Sequence, residues 1–271
     1  MFGKLLKHEL KSSAPIMLIL IGIIFGFGVT GAVGLRLLTS GIEAIVFDPS
    51  TAWLLLPGII LFYAAYIGII VCVAASQYIQ LFRFYGSRFT DRGYLTFTLP
   101  VSVHSNFLSA TLNMLIWFVI TYGVFLFALF AMFFGGLSGL EDFTLDSFLY
   151  GMQYAWQDMP PAVGLAILFI LFVSPVYTVV LNMTAVVTAC SIFKRMKILG
   201  IIGFLYVFSM IFSVVIGAIM MMCTIPAAVA GNDPMPMMAI AYGAVGVIMV
   251  LVSVGGYFLS TYLMKKKLNL A

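Results

Sequence analysis

Residues 161–197 read PAVGLAILFILFVSPVYTVVLNMTAVVTACSIFKRMK. No charged side chain occurs from Pro161 to Phe193, and then Lys194, Arg195 and Lys197 arrive almost together. A second uncharged run follows, from Ile198 to Cys223. A helix that crosses a bilayer needs roughly 20 predominantly apolar residues. Each run is therefore long enough to span, and the basic turn between them is too polar to enter hydrocarbon. Asn182–Met183–Thr184 matches the N-glycosylation pattern but falls inside the first run, out of reach of a glycosylating enzyme.

The same texture extends over the whole chain. Of its 271 residues, 63% are hydrophobic and 8% charged, against about 25% charged in an average soluble domain. A soluble fold has too little interior to hide that much apolar surface, so lipid must act as the solvent. About six spans fit this length, leaving little chain for a separate soluble domain. Cys72, Cys190 and Cys223 lie far apart in or beside apolar runs with no CxxC pair, which implies neither a disulfide framework nor a zinc site.

The predicted organisation is all-α, a single transmembrane domain over residues 1–271. Residues 1–13 form an amphipathic helix on the membrane surface, with Phe2, Leu5, Leu6 and Leu10 opposite Lys4, Lys7, His8 and Lys11. Ser13 is the expected N-cap of the following helix, with Pro15 in its first turn. Spans are expected at about 14–35, 51–80, 107–134, 161–192, 198–223 and 237–263, with boundary errors of roughly 2–4 residues. A signal peptide in place of the first span is set aside, because a signal core is roughly 7–15 residues and this run is longer. A short surface helix is expected between Asp146 and Asp158, with Phe148, Leu149, Met152 and Trp156 toward lipid.

Charge asymmetry orients the chain. With the N-terminus inside, the inner segments hold Lys4, Lys7, Lys11, Arg83, Arg88, Arg92, Lys194, Arg195, Lys197 and Lys265 to Lys267, and Arg36 alone lies outside. Glu43, Asp48, Glu141, Asp142, Asp146, Asp158 and Asp233 fall outside, Glu9 and Asp91 inside. Such a bias predicts both ends in the cytoplasm.

No G-x-x-x-x-G-K-[ST] occurs, so no Walker A loop is present in this sequence. His8 and His104 are isolated, and there is no metal motif. No Asp, Glu, Lys, Arg or His is expected in any apolar core. An ionisable residue there costs about 2.5–3.5 kcal/mol on insertion scales and is kept mainly where ions or protons move. Active transport would therefore draw its energy from another subunit. Sodium held by carbonyls and hydroxyls remains an alternative source.

Residues 82–107 interleave basic residues with aromatics. That mixture suits either a short helix offering side chains to a partner or an interfacial loop anchored by its aromatics. Within it, Asp91-Arg92-Gly93-Tyr94-Leu95-Thr96-Phe97-Thr98-Leu99-Pro100-Val101-Ser102 resembles the word between the second and third spans of ABC-2-type permeases from Firmicutes. The opening Gly3-Lys4-Leu5-Leu6-Lys7-His8-Glu9-Leu10-Lys11 resembles theirs too. Where related sequences often carry a Lys near the third span, this one reads Phe107-Leu108-Ser109-Ala110.

The resemblance implies an ABC-2 fold of the type V exporter kind: an elbow helix at 1–13, six spans and a cytoplasmic coupling region in 82–107. It implies residence in a bacterial cytoplasmic membrane and docking on separate ABC ATPase subunits, which carry ATP and Mg2+. The coupling candidates are Arg83, Arg88, Asp91, Arg92, Gly93, Tyr94, Leu99 and Pro100. No cofactor and no catalytic residue are expected in this chain, and no nucleic-acid partner. A second permease chain, identical or related, would complete the path.

Gly22, Gly26, Thr30 and Gly34 recur every four residues, a stripe of small side chains that lets helices approach. It serves either packing within the chain or a seam between two chains. The outer acidic residues either balance the inner basic bias or hold a cationic peptide. Met220, Met221, Met222, Met235, Met237 and Met238 read as lipid-facing or core residues, with an adaptable substrate surface as the alternative. Outside transport by ATP, the chain reads as a membrane scaffold or sensor subunit, or as an ion-coupled carrier.

Overall fold

A computed structural model describes residues 2–47, 53, 55–90, 93, 102–137, 144–157, 159–193, 195–229 and 235–266. The elements are all helical: α1 Phe2–Phe47, α2 Leu55–Arg88, α3 Val103–Leu137, α4 Leu145–Gln157, α5 Pro161–Ile192, α6 Lys197–Val229 and α7 Met235–Lys266. All but α4 are long and apolar enough to cross a membrane, the build of a multi-pass membrane protein. Their outward faces agree: Phe172 is 76% exposed and Met222 77%. Side chains of that size so far out of contact suit hydrocarbon, not water.

Local chemistry sets several helix starts. Ser102 caps α3, its Oγ accepting the Ser105 N–H at 3.2 Å. At α4, Ser147 N–H donates to Thr144 Oγ1 and Thr144 N–H to Ser147 Oγ, a reciprocal box on two short side chains. Pro160 and Pro161 open α5, where a missing N–H costs nothing.

The beginning of the chain differs from the sequence expectation. No break separates a surface helix at 1–13 from a span at 14–35, because α1 is one helix of 46 residues with Pro15 in its interior. Ser13 is not a cap. Its hydroxyl donates to the Leu10 carbonyl at 3.1 Å and accepts Trp117 Nε1 at 2.8 Å. An interior proline costs about 3 kcal/mol, and burial of Ser13 and Met17 on this side of α1 works against that cost. The helix also runs past residue 35 through Glu43 to Phe47. Likewise α2 passes residue 80 as far as Arg88, which shortens the stretch expected between spans, and α6 continues beyond Cys223 to Val229.

Two compact units are present. One comprises residues 10–79 and 116–155. Its centre is Ile24, Ile69 and Ala128, with Phe27, Val73, Val124 and Phe125 around them. Helices approach closely there: a methyl on Gly34 would stand 2.6 Å from the Phe62 backbone nitrogen.

The other unit comprises residues 1–9, 80–115 and 156–271, and in it α5 packs most extensively on α7. A methyl on Gly256 would meet Thr184 Oγ1 at 2.9 Å, and Ser260 Oγ donates to that same oxygen at 3.1 Å. Hydroxyls on these helices mostly bond back to their own backbone. Thr184 reaches Val180 O at 2.7 Å, Thr188 reaches Thr184 O at 2.8 Å and Ser253 reaches Met249 O at 2.7 Å.

Candidate functional site

The unit holding residues 1–9 and 80–115 gathers charged and carboxamide side chains around Arg88. Helix α2 leaves its apolar run near Gln80 and continues for two more turns to Arg88. A cation in the last turn of a helix faces the negative end of its dipole. That favours Arg88 at this position, but the side chain then turns inward and is only 1% exposed.

Burial of a guanidinium is tolerated only with its donors satisfied. Here they are. Nη2 lies 2.7 Å from Glu9 Oε1. Nε and Nη2 reach Asn106 Oδ1 at 3.1 and 2.9 Å, and Nη2 also approaches Asn106 O at 3.3 Å. Nη1 donates to Ser87 Oγ at 2.9 Å. Phe84 lies under the plane, 5.0 Å from Cζ to ring centre, adding a cation–π contact. One side chain thus joins α1, the end of α2 and the first turn of α3.

Aromatic rings close this polar group on one side. Phe84 meets Phe89 at 5.6 Å and Phe107 at 6.1 Å between ring centres, both edge to face. Phe107 in turn lies 5.4 Å from Tyr257 of α7, whose hydroxyl bonds His104 Nδ1 at 2.9 Å. Lys197, at the head of α6, donates to the Phe89 carbonyl at 3.3 Å. On the other side Asn113 Nδ2 donates to Gln80 Oε1 at 3.3 Å, with both residues 5% exposed. A cavity of about 10 Å³ lies among Glu9, Gln80, Arg83, Arg88 and Asn113, room for one water-sized molecule.

The coupling candidates separate in space. Arg83 is half-buried beside this cavity, Arg88 is inside the chain, and Gly93 is buried with its N–H on Thr90 O at 2.7 Å. Asp91, Arg92, Tyr94, Leu99 and Pro100 lie outside the described residues. Arg88 is therefore placed to position neighbouring segments, not to touch a partner.

The small-residue stripe divides as well. Gly34 is buried against α2, while Gly22, Gly26 and Thr30 are exposed, with nothing within 4 Å of a methyl built on either glycine. Close approaches come instead from Gly28 against Ala128 and Gly31 against Met132.

Sequence reasoning missed Glu9, Gln80, Asn106 and Asn113 as members of a site. The available signal was three carboxamides near the ends of apolar runs, where polar side chains serve as glue between helices. Among the described residues Arg88 is the only buried charged side chain, and no group of His, Cys, Asp or Glu is arranged to hold a metal. No family model, curated protein or solved structure matches this chain.

Proposed function

We propose that this chain is the membrane-spanning subunit of an ATP-driven exporter of the ABC-2 type, set in a bacterial cytoplasmic membrane with both ends in the cytoplasm. One observation carries the reading. Arg88 bonds Glu9 and Asn106, and so links the three segments that such a transporter would need to move together: the N-terminal amphipathic turns, the end of α2 and the start of α3. The charge asymmetry of the sequence supports the orientation.

In this mechanism two permease chains, identical or related, enclose a path, and two ATPase subunits close on ATP and Mg2+ beneath them. Their closure pushes on residues 82–107. Arg83, Asp91, Arg92 and Tyr94 receive the push, and Arg88 passes it to α1 and α3 through bonds already made. ATP then biases a two-state element, which is the content an allosteric coupling requires. Apolar helix faces suit a cargo of peptide, antibiotic or lipid-like character.

Co-purification with an ABC ATPase subunit and reconstitution with it test the reading. Arg83→Glu with Arg92→Glu is expected to release the ATPase and to abolish the chain's effect on ATP turnover, with circular dichroism checking that the helices are kept. Failure of the unaltered chain to retain any ATPase subunit would reject the proposal. Transport by the chain alone down an ion gradient would favour a carrier instead.

A further inference from the structure

At the head of α6 the chain builds an apolar groove of about 260 Å³. Phe193, Met196, Leu199, Gly203, Phe204 and Val207 line it. Two glycines shape it in different ways. Gly200 is covered by the Phe193 ring, which folds back so closely that no methyl would fit between them. Gly203 has nothing within 4 Å of a built methyl and leaves the channel open. Leu199 is 68% exposed and Met196 62%, so none of the described residues covers these two side chains.

The basic residues are neighbours of this lining in sequence. Arg195 is exposed and immediately precedes Met196 of the lining, and Lys197 is half-buried with its ammonium on the Phe89 carbonyl. An apolar channel whose lining is preceded in sequence by an exposed arginine has the polarity of one ligand class: a long hydrocarbon chain ending in an anion. Guanidinium binds phosphate through paired donors, more specifically than an ammonium does. Basic recesses beside membrane helices take acidic lipid headgroups for the same reason.

We propose that this groove binds one anionic phospholipid, its acyl chain along Leu199, Gly203 and Val207 and its phosphate at Arg195. The site does not depend on coupling to ATP, and it stands whether or not the exporter reading holds. A bound lipid would fill the gap that Gly203 leaves and fix the entry of α6 at the membrane surface.

Native mass spectrometry of the full-length chain in detergent, titrated with phosphatidylglycerol or phosphatidylcholine, tests this directly. The unaltered chain should retain one phosphatidylglycerol with about tenfold preference over phosphatidylcholine, the order of one charged hydrogen bond. Arg195→Gln should erase the preference. Gly203→Phe should remove retention of both lipids, and Gly217→Phe, elsewhere on α6 and equally free of neighbours within 4 Å, should leave it intact. Circular dichroism would confirm that each variant keeps its helices. Equal retention of the two lipids by the unaltered chain, or full retention by Gly203→Phe, overturns the proposal.

Discussion

Arg88 and Glu9 stand 2.7 Å apart although 79 positions separate them in the chain, and the arginine is 1% exposed where the glutamate is 24%. The asymmetry decides what each substitution does. Removing the glutamate strands a buried cation. Removing the arginine leaves a carboxylate that can turn toward water.

Glu9→Gln is accordingly expected to destabilise the protein more than Arg88→Met. Stranding one member of a fully buried pair costs about 3–5 kcal/mol, and partial exposure of Glu9 places this case at or below the lower end. The double variant should recover part of the loss. Thermal unfolding in detergent measures the order. If Glu9→Gln unfolded with the unaltered protein, the pair would have no structural role.

Gly34 and Gly22 give a paired prediction. A methyl at Gly34 meets the backbone of Phe62 and Leu61, which cannot rotate aside, whereas a methyl at Gly22 meets nothing within 4 Å. Gly34→Ala should lower the midpoint of unfolding. Gly22→Ala should leave it unchanged or raise it slightly, since alanine favours a helix over glycine by about 1 kcal/mol. Equal behaviour of the two variants would contradict the contact.

Gly22 and Gly26 are also the positions at which the proposed partner chain can be sought. Cysteine at either site should cross-link two chains in at least one nucleotide state of the reconstituted complex. A complete lack of linked dimer in every state would remove this face of α1 from the interface.

Ser13 and Trp117 provide a local optical test. The indole N–H donates to the serine hydroxyl at 2.8 Å, and Ser13 is fully buried. Ser13→Ala leaves that donor without its acceptor, a loss of about 1–3 kcal/mol. Tryptophan emission should shift and the unfolding midpoint fall, while Ser13→Thr, which keeps an oxygen, should retain more of the stability. An unchanged emission spectrum in Ser13→Ala would argue against the bond.

How much of this was readable from residues alone depended on the range of the cause. The limits of α5 follow from Pro161 and from the uncharged run ending before Lys194, both local features, and the sequence places them at 161 and 192 as the structure does. Helix α4 is likewise visible in its own amphipathic spacing, between Leu145 and Gln157. The start of α1 misled because Pro15 and Ser13 are local signals overridden by Trp117, a partner 104 positions away.

Arg88 misled in the same way. Its basic, aromatic neighbourhood suggested an outward face, and nothing near it in sequence announces Glu9. In the small-residue stripe, a spacing of four selects Gly22 and Gly26, but contact falls at Gly28, Gly31 and Gly34, three apart. Which side of a helix meets its neighbour is set by the neighbour.

The hydroxyls that bond back to their own helices have a consequence for biogenesis. Thr184, Thr188 and Ser253 each hand a proton to a carbonyl within one turn of themselves. Such a helix carries no unmet donor from these groups when it leaves the insertion machinery, before any companion has been synthesised. The order of release into the membrane is then free of that constraint, whereas Arg88 with Glu9 and Asn106, and Gln80 with Asn113, are paired only once the first three helices stand side by side.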